Sequence, residues 1–217
     1  MAGLTKKLYP PHDFGWTLRQ PESADVVQTQ LGDGRREIRL DHAPLPGVTT
    51  EMLGWWFQHF DGMAEFRGRK LPAYHLWHPR DHLSVRPTRN REGRVAPGSR
   101  LHIREVFNRD PRFETDAHVV IHRWDRRGIG FHKHVLGHRV FELDHVFTDD
   151  AAGLFYRSCL RVGAASGPLA GLINRRLAPR LFGDATAEAW IRHNVEEVGC
   201  FPEFLPELFA AKAIAPR

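Results

Sequence analysis

Two side chains near the end of the chain have the types and the spacing to bind a metal ion. His193 and Glu197 are four residues apart in a segment whose apolar residues recur at three- and four-residue steps, which predicts a helix. Side chains at this spacing lie one above the other and can converge on a single atom. Either the pair is a hydrogen-bonded buried couple, or Glu197 reaches solvent, or the two residues are ligands of a divalent metal, since imidazole with carboxylate is a common zinc combination.

The helix that carries this pair is predicted to run from Asp184 to Ala211. Asp184 and Thr186 are the candidate N-caps. Pro202 and Pro206 are expected to bend or restart the helix, because neither can donate an i to i−4 hydrogen bond. The buried side is predicted to contain the apolar residues Trp190, Ile191, Cys200, Phe201, Phe204 and Leu208. The solvated side is predicted to contain the charged residues Glu188, Arg192, Glu196, Glu203 and Glu207.

A second acid stands where an apolar residue would be expected. Residues 101–107 alternate in polarity, which predicts a strand whose inner face carries Leu101, Ile103, Glu105 and Phe107. A carboxylate on an apolar face is unfavourable unless it is paired or bound to a metal. Glu105 is therefore an anomaly of the same kind as Glu197.

Three histidines lie close together before that strand, at His75, His78 and His82. Any of them could supply a further metal ligand, and spacing alone does not choose between them. If residues 73–78 form a strand, His78 shares a face with Tyr74. A turn at Asp81 is then predicted to lead into a second short strand over residues 83–86.

Length and composition restrict the class of protein. The 217 residues are 41% hydrophobic and 26% charged, which suits one globular domain with a substantial core. No apolar run approaches the length of about 18 residues that a transmembrane helix needs, and the first residues lack the apolar segment of a signal peptide. Two cysteines, Cys159 and Cys200, fit a reducing compartment, so we expect a cytoplasmic protein.

The net charge of +5 does not by itself indicate a nucleic-acid partner. The densest basic stretches, residues 67–70 and 86–94, are rich in glycine, proline or asparagine and are predicted to be solvated loops. The chain contains no recognisable nucleic-acid-binding motif. We therefore expect neither a nucleic acid nor a membrane among its partners.

The first part of the chain is predicted to be an arm over the main domain. Residues 1–47 are rich in proline and glycine and are expected to be irregular apart from a short strand at 36–40, and residues 48–217 form the main domain. Thr49 or Thr50 is expected to cap a short helix with a very large aromatic surface.

The remaining elements indicate an α+β fold. Alternating polarity predicts antiparallel strands, and leucines at helical spacing predict a helix over residues 169–181 before the final one. A curved antiparallel sheet wrapped around the long C-terminal helix is a helix-grip arrangement. It would place Glu105, His193 and Glu197 in one apolar cavity. The strands are predicted at residues 101–107, 113–124, 131–147 and 154–162, with turns at 127–130 and 149–153.

Seven short motifs occur in order over about residues 47–210. They are Thr50-Glu51-Met52-Leu53-Gly54-Trp55-Trp56-Phe57, Tyr74-x-Leu-Trp-His-Pro-x-x-His82, Ile103-Arg104-Glu105, His145 before the turn, Tyr156-Arg157-Ser158, His193-x-x-x-Glu197 and Phe204-Leu205-Pro206-Glu207-Leu208. Together they resemble the 2,4-diacetylphloroglucinol hydrolase family. The resemblance implies a Bet v 1-like helix-grip domain with Zn2+, and hydrolysis of a carbon–carbon bond between an acyl group and a polyphenolic ring.

The resemblance also implies a set of metal ligands. Carried across by position, the zinc ligands are His82, Glu105, His193 and Glu197. Two of them are the acids that periodicity singles out as anomalous.

Two further residues match the family's substrate contacts. Tyr74 and His145 correspond to a tyrosine and a histidine that touch the substrate, which is expected to be a small aromatic polyketide-like molecule of the acylphloroglucinol type.

A homodimer is possible. The N-terminal part is shorter than in the characterised hydrolase, and Leu160 stands near a position where an aromatic pocket residue is expected.

Two other functions fit the same residues. The zinc scaffold could act on another acylated phenol, such as a dihydrochalcone, or the cavity could belong to a non-catalytic carrier of apolar ligands. A pure carrier does not need acids and histidines that face inward. The zinc hydrolase is therefore the preferred hypothesis.

Overall fold

A large antiparallel sheet dominates the computed structural model, which describes residues 8–135 and 137–215. Its strands are β1 (Ala24–Gln30), β2 (Arg36–His42), β5 (His82–Pro87), β6 (Arg100–Val106), β7 (Glu114–Asp125), β8 (Gly128–Val135), β9 (His138–Asp150) and β10 (Gly153–Val162). They are arranged in the order β1-β2-β10-β9-β8-β7-β6-β5. A small second sheet contains β3 (Met63–Phe66), β4 (Arg69–Pro72) and β11 (Ile214–Ala215).

The helices lie before and after the run of strands. They are α1 (Thr50–His59), α2 (Tyr74–Trp77), α3 (Ala170–Leu172), α4 (Ala178–Leu181) and α5 (Asp184–Ala211), with a π-helical segment, Ile173–Leu177, between α3 and α4. None of the helices in residues 8–135 and 137–215 is long and apolar enough to cross a membrane. The large sheet wraps around α5, so the fold is the Bet v 1-like helix-grip arrangement that the sequence predicts.

The predicted cap of α1 is confirmed at Thr49, whose hydroxyl accepts a hydrogen bond from the amide of Met52 at 3.3 Å. The next residue fixes the helix to the sheet, since Thr50 donates twice to the Asp149 carboxylate at 2.8 Å. The aromatic surface of α1 is buried against α5, with Trp56 tilted on Phe204 at a centroid distance of 5.0 Å. This packing anchors the N-terminal end of the main domain to the C-terminal helix.

Three expectations for α5 are wrong in detail. The helix begins at Asp184 with Gly183 as its N-cap, so neither Asp184 nor Thr186 caps it. It does not restart at Pro202 or Pro206, because each proline removes only its own backbone donor while the apolar side chains around it stay packed in the core. Glu196, predicted to be solvated, is buried with an exposed fraction of 2%.

Two segments before the main strands also differ from expectation. Residues 74–77 form the single helical turn α2 rather than a strand, and β5 starts at His82 as the sequence predicts. Residues 24–42, expected to be mostly irregular, form β1 and β2, and β2 pairs with β10 in the large sheet. β1 lies at the edge of the sheet and is largely exposed, so its side chains are mostly polar. A search for alternating hydrophobic residues therefore does not detect this strand.

The strands from β7 to β10 are confirmed with shifted turns. Gly128 already belongs to β8, so the turn predicted at 127–130 falls earlier, and the segment predicted as one strand over 131–147 is divided between β8 and β9.

The segment 170–181 is helical as expected, but its leucines do not pack inward. Asn174 is its buried residue and is bonded to the backbone of Ala164, while Leu172 and Leu181 are exposed.

Candidate active site

The four residues nominated as metal ligands converge in the structure. Glu105 on β6 is the direct cross-strand partner of His82 on β5, and His193 and Glu197 approach them from α5. His82 Nε2 lies 3.5 Å from Glu105 Oε1 and 3.3 Å from Glu197 Oε2. His193 Nε2 lies 3.8 Å from an oxygen of each of the same two carboxylates. His82, His193 and Glu197 have ligand atoms that all lie within 4.8 Å of one another, and Glu105 adjoins them by presenting a different carboxylate oxygen to each imidazole.

The protons on the two imidazoles show why a cation suits this point. His82 donates from Nδ1 to the carbonyl of Tyr74 at 3.0 Å, so the Nε2 of the neutral ring carries a lone pair. Burial is the main cause that lowers the pKa of His82 to about 4, and it keeps the ring neutral. Its Nε2 is buried and has no hydrogen-bond partner among the described residues. An orphaned lone pair beside two carboxylates is unfavourable unless a cation lies between them.

His193 is oriented by Asp81. Its Nδ1 donates to Asp81 Oδ2 at 3.1 Å, which turns Nε2 toward the other ligands. Burial would lower the pKa of His193, but the bond to Asp81 and the charges of Glu197 and Glu105 outweigh it and raise the pKa to about 9. In the metal-free protein a proton thus occupies the position that a metal would take, and metal binding must release it.

Both carboxylates have hydrogen-bond donors that hold them. Tyr74 donates its hydroxyl to Glu105 Oε1, and its ring stacks on His82 at a centroid distance of 3.9 Å. Asn194 donates to Glu197 Oε1 at 2.6 Å. Each of the four groups therefore has a second partner that fixes its direction, as metal ligands in proteins usually do.

The distances from the two imidazole nitrogens to the carboxylate oxygens are close to those of a zinc site, with Glu105 presenting a different oxygen to each ring. Zinc bonds to nitrogen and oxygen ligands are about 2.0–2.2 Å long, so neighbouring ligand atoms in a tetrahedral site are about 3.3–3.6 Å apart. The four distances of 3.3–3.8 Å between the nitrogens and carboxylate oxygens come close to that range. Two imidazoles with two carboxylates also match zinc in ligand type. The residues present therefore fit the implied metal.

A second group of possible ligands lies directly behind the first. His78, Asp81 and His193 have ligand atoms within 4.8 Å of one another, and Glu196 Oε2 lies 3.2 Å from His78 Nε2. His78 Nδ1 accepts bonds from the backbone amides of Arg80 and Asp81, while its Nε2 is buried and has no hydrogen-bond partner among the described residues. We interpret this group as the support of His193. Sequence patterns did not reveal this group, because Asp81 matched a turn and Glu196 matched a solvated helix face.

A third group lies on the surface of the sheet and resembles an ordinary surface pair. His102 Nε2 lies 2.7 Å from Asp116 Oδ1, and His118 stacks on the His102 ring. Arg104 approaches the other oxygen of Asp116 at 3.3 Å. Because an arginine already neutralises this carboxylate, the group lacks the unbalanced charge that distinguishes the buried cluster.

A cavity of about 300 Å3 opens beside the buried cluster. Glu105, His193 and Glu197 form part of its wall, so a bound molecule would touch the ligand cluster. The rest of the wall is mostly apolar and aromatic and includes Phe60, Trp77, Leu101, Ile103, Phe107, Phe113, Val119, Phe131, Phe141, Leu143 and Trp190. Such a wall suits a flat apolar ring with polar groups at one end.

The two residues that match the family's substrate contacts also line this cavity. Burial and the Glu105 charge raise the pKa of Tyr74 well above its ordinary value, so the phenol stays protonated. Burial, with repulsion from His42 added, lowers the pKa of His145 to about 3, so this imidazole is neutral. Leu160 is buried in the hydrophobic cluster that contains Trp190, and the Trp190 ring supplies an aromatic wall in that part of the cavity.

The N-terminal segment around Tyr9 packs against the strand that carries His82. Tyr9 donates its hydroxyl to the carbonyl of His82 and stacks on His75 at a centroid distance of 4.5 Å. Arg109 holds the segment by donating to the carbonyls of Tyr9, at 2.7 Å, and Arg80, at 2.8 Å. The segment therefore supports the strand that carries His82.

Comparisons with solved structures find distant likenesses. Protein NE0264 from Nitrosomonas europaea is 10% identical with a TM-score of 0.50, over 82% of this chain and 99% of that one. Protein Ms6760 from Mycobacterium smegmatis is 12% identical with a TM-score of 0.44, and the match covers 87% of this chain and 98% of that one. A STAR-related lipid transfer protein fragment from Xanthomonas axonopodis is 15% identical with a TM-score of 0.41, and the match covers 83% of this chain and 98% of that one. Likenesses at such low identity concern the fold alone.

The family comparison is more specific. The family described as DAPG hydrolase PhiG domain matches residues 29–109, a segment that contains Tyr74, His82 and Glu105. No curated protein matches the chain. The family match supports hydrolase activity on a small molecule, and the buried groups beside the cavity could bind a metal. Over this segment it confirms the resemblance to the 2,4-diacetylphloroglucinol hydrolase family that the motifs indicate.

Proposed function

We propose that this protein is a zinc-dependent hydrolase that cleaves the carbon–carbon bond between an acyl group and a polyphenolic ring. The observation that carries this proposal is the close approach of His82, His193 and Glu197, with the Glu105 carboxylate beside them, in the wall of an aromatic cavity. An acylphloroglucinol has the matching shape, since its flat ring suits the aromatic wall and its oxygens suit the polar end.

His82, Glu105, His193 and Glu197 would hold the metal. When bound there, zinc supplies Lewis acidity toward oxygen atoms and lowers the pKa of a bound water toward about 7. The chain's own contribution is to direct the two imidazoles, through the Tyr74 carbonyl for His82 and through Asp81 for His193.

The hydrolysis requires a group that moves a proton. Water adds its oxygen to the acyl carbon, the bond from that carbon to the ring carbon breaks, and the ring carbon takes a proton. The products are a carboxylic acid and the deacylated phenol. The ring carbon can leave because the phenolic oxygens delocalise its charge, as in an enolate. We assign the proton transfer to His145, which lines the cavity and is neutral because burial lowers its pKa.

Tyr74 would act on both the ligand cluster and the substrate. Its protonated hydroxyl is bonded to Glu105, so its first role is to hold that carboxylate. From the same position in the cavity wall, it would also contact an oxygen of the substrate.

Product analysis tests the proposal. The zinc-loaded protein would be incubated with a panel of acylphloroglucinols and dihydrochalcones in water enriched in oxygen-18. We expect equal amounts of the deacylated ring and of a carboxylic acid that carries the heavy oxygen, and little product from His145→Gln. Turnover of dihydrochalcones alone would move the assignment to another acylated phenol. A folded, zinc-loaded protein that releases no product from any member would contradict the proposal.

The carrier hypothesis is favoured by one observation, the mostly apolar wall of the cavity. A carrier would bind acylphenols without consuming them, and would bind them as well after zinc removal. We expect instead that zinc removal weakens binding, because part of the cavity wall is the ligand cluster itself.

A further inference from the structure

A lysine lies on the same face of the sheet as His145. Three cross-strand pairs of β8 and β9 follow one another on this face: Ile129 with His145, Phe131 with Leu143, and Lys133 with Phe141. Directly paired side chains point to one face of a sheet, and so do residues two apart on one strand. Lys133 therefore points inward, in agreement with its position in the cavity wall.

The lysine is well separated from the residue to which we assign the proton transfer. From His145 to Phe141, the partner of Lys133, β9 advances by four residues, which is about 13 Å of strand. Both His145 and Lys133 line the cavity, so one bound molecule can lie between them. A ring held with its acyl carbon near His145 and the ligand cluster would extend its opposite edge toward Lys133.

The charge of Lys133 is not neutralised by the rest of the cavity wall. Two other charged residues of this wall have partners, since Arg112 pairs with Asp110 and Glu114 pairs with Arg104. Lys133 has no ion pair within residues 8–135 and 137–215, and its side chain is partly buried. An ammonium group in a mostly apolar wall is poorly solvated, so it gains from an anion that a ligand brings.

We propose that Lys133 determines substrate specificity by binding an ionised phenolic oxygen on the edge of the ring away from the acyl group that is cleaved. A phenol para to an acyl group is more acidic than an ordinary phenol, because the acyl carbonyl shares the negative charge through the ring. The ligand cluster would take the acyl end of the molecule, the aromatic wall its flat ring, and Lys133 its anionic edge. The inference rests on the proposed function for the class of ring.

Equilibrium binding tests the inference. Calorimetry would compare an acylphloroglucinol with the analogue that is methylated on the oxygen para to the acyl group. The zinc-loaded His145→Gln protein serves as the parent, so that the ligand is not consumed. We expect Lys133→Met to weaken binding of the free phenol about 10-fold, as for the loss of one charge-assisted hydrogen bond at a partly exposed site. The methylated analogue should bind the parent and Lys133→Met equally.

Two further variants control for charge and for folding. Lys133→Arg keeps the charge and should bind the free phenol nearly as well as the parent. Lys70→Met removes the same charge at an exposed position on β4 and should leave the binding of both ligands unchanged. Lys133→Gln replaces Lys133→Met if the latter does not fold. Equal losses for both ligands in the Lys133 variant, or no loss for either, would overturn the inference.

Steady-state kinetics with His145 intact distinguish this inference from the proposed function. Lys133→Met should raise KM for the free phenol about 10-fold, with kcat and zinc content close to wild type. Hydrolysis that does not depend on Lys133 for either ligand would contradict the inference alone. Binding that depends on Lys133 and on the free para oxygen, without hydrolysis of any acylphenol, would contradict the proposed function alone.

Discussion

The carboxylate of Asp81 lies 3.1 Å from Nδ1 of His193, and this contact aims the other nitrogen of the ring at Glu105 and Glu197. Asp81 itself is fixed, because it also accepts from the backbone amide of Asn108 at 2.8 Å. A carboxylate that orients a histidine ligand raises the basicity of the ring and sets its tautomer. The strength of metal binding should therefore depend on a residue that does not touch the metal.

We predict that Asp81→Asn weakens zinc binding about 10- to 100-fold, the usual effect of removing such a partner. The amide keeps the shape of the side chain and can still accept, but it loses the negative charge that favours the ring. Competition with a coloured zinc chelator measures the change.

The matched control for Asp81→Asn is Asp116→Asn, which removes an exposed carboxylate paired with His102 on the outside of the sheet. It should bind zinc like the wild type. Equal affinity in both variants would refute the role of Asp81.

Tyr74→Phe should separate metal binding from turnover. The ring remains stacked on His82, but the hydroxyl that holds Glu105 is lost. We expect zinc to be retained with a modest loss of affinity, and kcat on an acylphloroglucinol to fall about 10- to 100-fold. Elemental analysis and steady-state kinetics on the same preparation check both parts. Wild-type kcat in this variant would exclude the hydroxyl from the mechanism.

Two buried neutral histidines should make the fold sensitive to acid. The pKa values of His42 and His145 are lowered to about 3, chiefly by burial, whereas the unfolded chain binds protons at the ordinary value near 6.5. Their contribution to stability is therefore complete above pH 6.5 and is lost as the pH falls toward about 3. Between about pH 7.5 and about pH 5, each ring should lower the free energy of unfolding by about 2 kcal/mol.

Urea unfolding at the two pH values measures this loss of stability. His145→Gln should lose its share of the pH dependence, and His118→Gln, at an exposed position, should not. If His145→Gln and the wild type respond to acid by the same amount, His145 does not titrate as the structure requires.

The sequence predicted the parts of the site whose residues break a local pattern. Glu105 and Glu197 stood out because a carboxylate on an apolar face needs a partner, and both face the cluster. Among three neighbouring histidines, periodicity could not choose His82, because that choice depends on its cross-strand pairing with Glu105. Only the resemblance selected it.

The supporting residues could not be predicted, because each is ordinary in its own segment. Asp81 follows a proline in a turn, and Glu196 is one of several acids on a helix. Their functions arise from contacts between residues more than 100 positions apart, such as Asp81 with His193 and His78 with Glu196. Local patterns contain no information on such pairs.

One glycine should be essential for the close approach of the chain at the start of β10 to the segment around Leu45. Gly153 has φ of +125°, and a β-carbon there would lie 2.5 Å from the carbonyl oxygen of Leu45. We predict that Gly153→Ala lowers the free energy of unfolding by at least about 2 kcal/mol, from backbone strain and the clash together. Thermal or urea unfolding measures the effect. Gly93→Ala, also at positive φ but with open space around it, should be clearly milder, and equal losses would argue against the clash.

The zinc content of the purified protein tests the central claim most directly. Wild type, Glu197→Ala and Glu203→Ala would be measured by elemental analysis, and Glu203 serves as an exposed control on the same helix. The account predicts close to one zinc per chain in the wild type and in Glu203→Ala, and loss of zinc in Glu197→Ala. A folded wild type that is metal-free, and that stays empty when zinc is added back, would contradict it.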